Sequence, residues 1–431
     1  MIISTIETKR LRFVFLASVV CFFISITGLS FNTSELTLLA LSIFGLKARA
    51  KHLKISGLSC LFLAFLFLVI ISLALDNSSP AELARNIIFI FCSLWTSSFF
   101  SIRNYSIFHP QACPSLLSLI NVLSTYSVYL IAIFSLANVV VGNEVWSALS
   151  SSLMMMPHHI PEAVASSWWS NSNGIFANYL NPGSLAISLT YFVCLYLCTL
   201  PAGQTPSIFF LILAATILIL TKVTTASIPA ALIVLYCFID YFLSTPLRHP
   251  RFFSSQISLF LLLPVTTCFI FYIGYTHIVS ESSAIVSYAT FLLSLDADSF
   301  CSIQGPGSEC VRALYLVSSL KHLDPALIGK NPLTITALHE NPHNFLVYVL
   351  QYYGILAFFS YALFLICLAF KLFFVKLSIV AKCLCAYVFF LLPFQGSPWT
   401  DGRNFFLFIL LVHVVSCKSE IDSSKALIYR G

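Results

Sequence analysis

The residues best equipped for chemistry stand together in one short run, His339-Glu340-Asn341-Pro342-His343-Asn344, which feeds directly into the apolar stretch Phe345-Leu346-Val347-Tyr348. Two imidazoles, a carboxylate and two amides can move protons and orient hydroxyls or phosphates. Polar groups at the edge of an apolar span point to function by default, because placing them in hydrocarbon is costly. The same residues also make a helix start, in which Pro342 breaks the incoming chain and Asn344 caps the apolar run. Both readings can hold at once.

Two other chemistries are disfavoured by spacing. His339 and His343 are four apart, as metal ligands on one helix face are, but Pro342 interrupts that helix. No His-Glu-x-x-His motif is present, and His158-His159 have no cysteine or carboxylate framework around them. A serine or cysteine nucleophile needs an oriented base, yet there is no Gly-x-Ser-x-Gly elbow. What remains is a hydroxyl- or phosphate-handling site at a membrane boundary.

The elements that must position such a site are membrane helices. The chain has 431 residues, 59% of them hydrophobic and 9% charged, with mean hydropathy +0.94, a balance that water-soluble globules do not reach. The net charge of +6 is scattered beside apolar segments and gives no nucleic-acid signal. Most of the fourteen cysteines lie inside apolar runs, where they act as small hydrophobes. The run Phe13 to Leu29 lacks a clear small-residue cleavage site and reads as a retained helix.

A span needs roughly 20 mainly apolar residues. The sequence therefore predicts an all-α, polytopic transmembrane bundle in one domain, with about twelve helices. They fall near 11–29, 34–46, 55–75, 82–102, 115–141, 182–200, 207–221, 226–243, 255–275, 345–370, 377–394 and 404–416. With both termini in the cytoplasm, alternate loops collect Lys9, Arg10, Arg12, Lys47, Arg49, Lys51, Lys54, Arg103, Arg248, Arg251, Lys371, Lys376, Lys418, Lys425 and Arg430, as the positive-inside rule asks. The opposite side keeps mainly Arg85, Lys222, Arg312, Lys321, Lys330 and Arg403, which holding topology does not explain.

Two external loops, 142–182 and 276–344, far exceed the usual connection of about 4–6 residues and are candidates for function. The first carries Met154-Met155-Met156 and Trp168-Trp169, residues suited to the membrane interface. The second carries Cys301 and Cys310 around the turn Gly305-Pro306-Gly307, either bridged in an oxidising compartment or left as free thiols. Arg grips phosphate through a planar fork and Lys as a point charge, so Arg312, Arg403, Arg85 and Lys222 are pyrophosphate candidates. The bland alternatives are a loop salt bridge of Arg312 to Glu309 or Asp324, and snorkelling of Arg85 from a helix end.

Pro342-His343-Asn344-Phe345-Leu346 followed by Gln351-Tyr352-Tyr353-Gly354-Ile355 resembles the His-Asn-x-x-Leu … Gly-Ile signature of the O-antigen polymerase and O-antigen ligase superfamily. Arg312-x-x-Tyr315 leading to Asp324-Pro325-x-x-x-Gly329 is similar to its Arg-x-x-Trp/Tyr … Pro-x-x-Gly segment, and Asn171-Ser172-Asn173-Gly174-Ile175-Phe176-Ala177 to its Asn-x-Asn-x-x-Ala element. The matches run in order from Asn171 to Ile355.

The resemblance implies a GT-C-type glycosyltransferase of a bacterial inner membrane, working at the periplasmic face. It would move a glycan from undecaprenyl pyrophosphate to an acceptor sugar hydroxyl, with inversion and with no cofactor, nucleotide sugar or metal. His343 would activate the hydroxyl or touch the diphosphate, and Arg312 would stabilise the leaving group. Asn344, His339, Arg403, Lys222, Arg85 and Asn173 would bind substrate. Partners would be the lipid-linked oligosaccharide, membrane lipids and a chain-length regulator protein.

One departure stands out: where members carry Thr-x-Ser-Arg, this chain reads Thr221-Lys222-Val223-Thr224, so the Arg position is Thr224 and the nearest cation is Lys222. Within the family, two sizeable external loops favour a repeat-unit polymerase over a ligase that loads polymer onto lipid A core. A flippase or other transporter would hold its charges near the bilayer midplane in broken helices, whereas here they gather in loops.

Overall fold

A buried helix, Pro182–Thr199, sits at the centre of the bundle, every one of its residues except Gly183 shielded by neighbours. In the computed structural model of the chain, the described residues are 56–76, 83–84, 86–91, 93–94, 112–143, 145, 182–200, 204–238, 291, 294–304, 308–321, 323–330, 344–395 and 402–428. They form helices and connections with no strand among them. In chain order the helices are α1 Gly57–Leu75, α2 Ala112–Val141, α3 Pro182–Thr199, α4 Ile208–Leu220, α5 Thr224–Phe238, α6 Ala297–Gln304 and α7 Ser308–Lys321. Then come α8 Phe345–Tyr352, α9 Ile355–Phe374, α10 Ile379–Ala386, a π-turn Tyr387–Leu391, α11 Leu392–Gln395 and α12 Gly402–Ile428. The predicted helices 11–29, 34–46 and 255–275, and residues 146–181 of the first loop, lie outside the described residues.

α1, α3, α9 and the stretch Ile120–Val141 of α2 are long and apolar enough to cross a membrane. Their outward faces show the same. On α9, Phe359, Leu363, Ile366, Phe370 and Phe373 form an exposed stripe at helical spacing, and on α2 Val122, Tyr126, Leu130, Ile133, Leu136 and Val140 form another. Each stripe runs about 20–27 Å along its helix, close to the hydrocarbon thickness of a bilayer. Apolar surface this continuous belongs against lipid rather than water.

Around α3 pack α2, α4, α5, α10 and α12, and α12 is itself buried from Asn404 to Cys417. A helix that is apolar all round must lie inside a bundle, and these two supply its middle. α3 and α12 run side by side in one direction: Ser188 donates to Asn404 Oδ1 near their starts, and Lys418 Nζ donates to the carbonyls of Cys198 (2.9 Å) and Leu200 (3.3 Å) near their other end. Those last carbonyls have no intrahelical partner, so an ammonium there is well placed. α2 runs opposite, its Asn121 donating to the Tyr196 carbonyl (3.1 Å) and to Thr199 Oγ1 (3.1 Å). An aromatic core joins α1, α9 and α12 through Phe62–Phe364 (4.8 Å) and Phe65–Tyr361 (4.9 Å), with Phe89 stacked on Phe405 (3.9 Å). Such pairs add ~0.5–1.5 kcal/mol each beyond burial.

The bundle is electrically lopsided. Lys371 and Lys376 close α9, Lys382 donates to the Phe373 carbonyl (2.8 Å), and Lys418 closes α3, so lysines gather at the end where α3 and α9 finish. The opposite end, where α8, α9 and α12 begin, carries the motif residues considered below.

Three predicted boundaries are corrected. The apolar run 345–370 is not one helix but two, α8 and α9, broken at Tyr353 and Gly354. The last helix extends to Ile428, past its apolar part, because hydropathy finds only the portion of a helix that sits in an apolar setting. The second loop is folded: α6 and α7 form a hairpin whose Phe291, Ala297, Phe300, Ala313 and Leu316 make a small core of their own. Cys301 and Cys310 are bridged across it, and a closed loop this short is worth about 2–3 kcal/mol at best. Asp296 starts the hairpin by accepting from the hydroxyl (2.6 Å) and amide (3.1 Å) of Ser299, bonds that hold its carboxyl below the usual range.

Candidate functional site

At the start of α8, Asn344 is buried and its Oδ1 accepts from the amides of Leu346 (3.1 Å) and Val347 (3.2 Å). This is an N-cap, and it fixes where the chain leaves the polar run and enters the bundle. Of the two roles open together to Asn344, capping is the one its Oδ1 performs here. Asn344→Ala should cost ~1 kcal/mol of stability while Asn344→Asp, an equally good cap, holds the wild-type value in a thermal melt. Equal melting of Ala and Asp variants would remove the cap from the account.

α8 is short because the chain must turn at Gly354. That residue has φ +90° and ψ 175°, a region open essentially to glycine. A Cβ there would lie 2.9 Å from the Ala326 and Leu327 carbonyl oxygens and 2.9 Å from the Ile328 Cα. The strap 323–330, which leaves α7, therefore lies directly on the α8–α9 break. Backbone bonds hold it: Ile355 N–H to the Ala326 carbonyl (3.0 Å), Leu356 N–H to the Leu327 carbonyl (3.2 Å), and Gly329 N–H to the Tyr353 carbonyl (3.2 Å). Ser72 of α1 donates to the same Tyr353 carbonyl (2.9 Å). Two motif segments more than twenty residues apart in sequence, Asp324 to Gly329 and Gln351 to Ile355, thus become one junction.

The hairpin closes the other side. Val347 of α8 packs into the hairpin core with Val317 and Leu320 of α7. Arg312 is a residue of α7. Tyr348 stacks on Tyr352 (4.5 Å between rings) and meets Tyr353 edge-on (5.5 Å), and Lys330 Nζ stands 5.2 Å from the centre of the Tyr352 ring.

Among the described residues, the buried polar atoms with no hydrogen-bond partner include Asp76 Oδ2, Ser319 Oγ, and both Gln351 Oε1 and Nε2. Gln351 is 7% exposed and Ser319 1%. Each such atom costs ~1–3 kcal/mol when left unsatisfied. Sequence reasoning gave none of the three a role; the signal available for Gln351 was a lone amide inside an apolar run.

The other expected residues fall elsewhere. Lys222 is exposed, with φ +53°, at the turn between α4 and α5. A side chain other than glycine in that conformation costs ~1–2 kcal/mol. Its hairpin is packed on α2, α3 and α10 rather than built into the α7–α8 junction. Arg403 is the second residue of α12, and α8 packs on α11, the turn that precedes it. His343, His339, Arg85 and Asn173 lie outside the described residues, His343 one position before the Asn344 cap. Among the described residues no group of three or more His, Cys, Asp or Glu side chains converges as metal ligands do.

No protein-family model matches the chain, and neither a curated protein nor a solved structure does.

Proposed function

We propose that the chain is a polytopic glycosyltransferase of a bacterial inner membrane that polymerises surface-polysaccharide repeat units, taking the growing glycan from undecaprenyl pyrophosphate to an acceptor sugar hydroxyl on the periplasmic side. The observation that carries it is the junction: the strap after Arg312's helix is hydrogen-bonded onto the break that follows the His343-Asn344 helix start. Parts of two of the three segments on which the resemblance rests, Asp324 to Gly329 and Gln351 to Ile355, thereby share one place in the fold. The lysine-rich end lies opposite, as a cytoplasmic face would, and about twelve spans with both termini on that face complete the arrangement.

The reaction needs little machinery. The acceptor oxygen bonds to the anomeric carbon as the carbon–oxygen bond to the diphosphate breaks, inverting that centre. The hydroxyl proton passes to a base, the role that the resemblance gives to His343. The charge that develops on the leaving diphosphate needs fixed cations, the work of Arg312 with Arg403, Lys222 or Arg85. Lys222 supplies charge without the bidentate fork.

Lipopolysaccharide from a strain deleted for this gene tests the reading. A single repeat unit on core is the result expected of a lost polymerase. Bare core with polymer still built on the lipid carrier identifies a ligase, and an unchanged ladder ends both assignments.

A further inference from the structure

The geometry points to an interaction surface at the end of the bundle where α9 finishes: the corner between α9 and α10 holds an anionic phospholipid, its phosphate on Lys376 and Lys382 and an acyl chain on Phe373 and Phe374. This is independent of the reaction proposed above. The corner is firmly held. Val375 is buried, its amide donates to the Lys371 carbonyl (3.1 Å), and Ser378 caps α10 by accepting from the Ala381 amide (3.3 Å). Lys382 Nζ donates to the Phe373 carbonyl (2.8 Å), which draws its ammonium back to the end of α9 and leaves it two further N–H groups. Lys376 is exposed, one residue beyond Val375.

Two features select the partner. Lys371, Lys376 and Lys382 are the only Lys, Arg, Asp or Glu residues between Glu340 and Asp401, so the corner brings positive charge and no carboxylate of its own. Beside that charge, Phe373 (74%), Phe374 (67%) and Ile379 (73%) are mostly exposed, the two rings meeting edge-on at 5.3 Å. Ammonium groups next to bare rings suit a ligand that is anionic at one end and hydrocarbon at the other. The apolar stripe of α9 continues that surface, Leu363, Ile366, Phe370 and Phe373 spanning about 15 Å. That is half of the roughly 30 Å hydrocarbon core, the reach of one acyl chain in one leaflet. A soluble anion would leave the rings uncovered. A zwitterionic lipid would gain little from the lysines, each of which is worth about fivefold toward an anionic lipid surface.

The test is native mass spectrometry of the full chain released from maltoside micelles at low salt, after incubation with equal amounts of phosphatidylglycerol and phosphatidylcholine of matched chains. Wild type should retain phosphatidylglycerol in preference, by about tenfold or more. Lys376→Gln, an exposed change outside any helix, should weaken that preference about fivefold and melt as wild type does; adding Lys382→Gln should remove it. Phe374→Ser should lower retention of both lipids alike, since it takes away contact with the chain and no charge. Lys321→Gln, at an exposed lysine on the last turn of α7, is the control and should change nothing. Equal retention of the two lipids by wild type, or an unchanged preference in the double variant, would overturn the assignment. So would a loss as large in Lys321→Gln, which is diffuse attraction to net charge, or a preference lost only where melting falls as well. The deletion phenotype reports on the reaction and these spectra on the corner alone, so the two proposals fail separately.

Discussion

His343→Ala is expected to remove the polysaccharide ladder entirely while leaving the protein inserted at its normal level. General-base assistance contributes about 10²–10⁴-fold to a rate, and a polymer of many repeats multiplies any shortfall per step, so even the lower figure leaves no visible ladder. The residue is chosen by its motif: His343 directly precedes Asn344, whose Oδ1 caps α8 by accepting from two amides. His343→Gln, which keeps a hydrogen-bonding side chain but no base of useful strength, should fail in the same way. Normal banding from a well-expressed His343→Ala protein would take the base away from this site. Partial activity in His343→Gln with none in His343→Ala would move the histidine from base to diphosphate contact.

What the sequence made legible was what hydropathy and single punctuating residues encode. The spans of α1, α2, α3 and α4 fall within a few residues of expectation, because their ends coincide with changes in polarity such as Ser56 and Ser207, both of which cap. Asn344 was readable as a cap for the same reason. The break at Gly354 was not taken as one, since a lone glycine in an apolar run is compatible with a continuous helix; what makes it a break is the strap, a partner from another part of the chain. The hairpin α6–α7 was hidden by its short helices and mixed composition, which give no apolar run to read. Gln351 and Ser319 are the clearest case. Their identity is plain in the sequence, but only packing shows that they are buried with nothing to bond, and packing is set by residues hundreds of positions away on α1 as well as by neighbours.

Gly354→Ala should be the most damaging conservative change in the described part of the chain, costing about 4 kcal/mol, near the upper limit of single substitutions. Two costs combine. The conformation alone is worth ~1–3 kcal/mol against any residue with a Cβ, and the new methyl would press on three backbone atoms of the strap at 2.9 Å. Backbone cannot swing aside as a side chain can. The strap would lift, and with it the bonds from Ile355 and Leu356 to Ala326 and Leu327. Two other glycines set the scale. Gly329→Ala shares a positive φ of 78° but meets only Asp76 Oδ1 at 3.6 Å, so it should cost the conformational part alone. Gly57→Ala opens onto empty space at the start of α1 and should be neutral or mildly stabilising. Thermal melts of the three variants in one detergent should rank them in that order. If Gly354→Ala melts beside Gly329→Ala, the strap is not held against the helix break by close contact; if it melts far below, with residues 323–330 newly open to protease, the junction is the structural hinge on which the polar site depends.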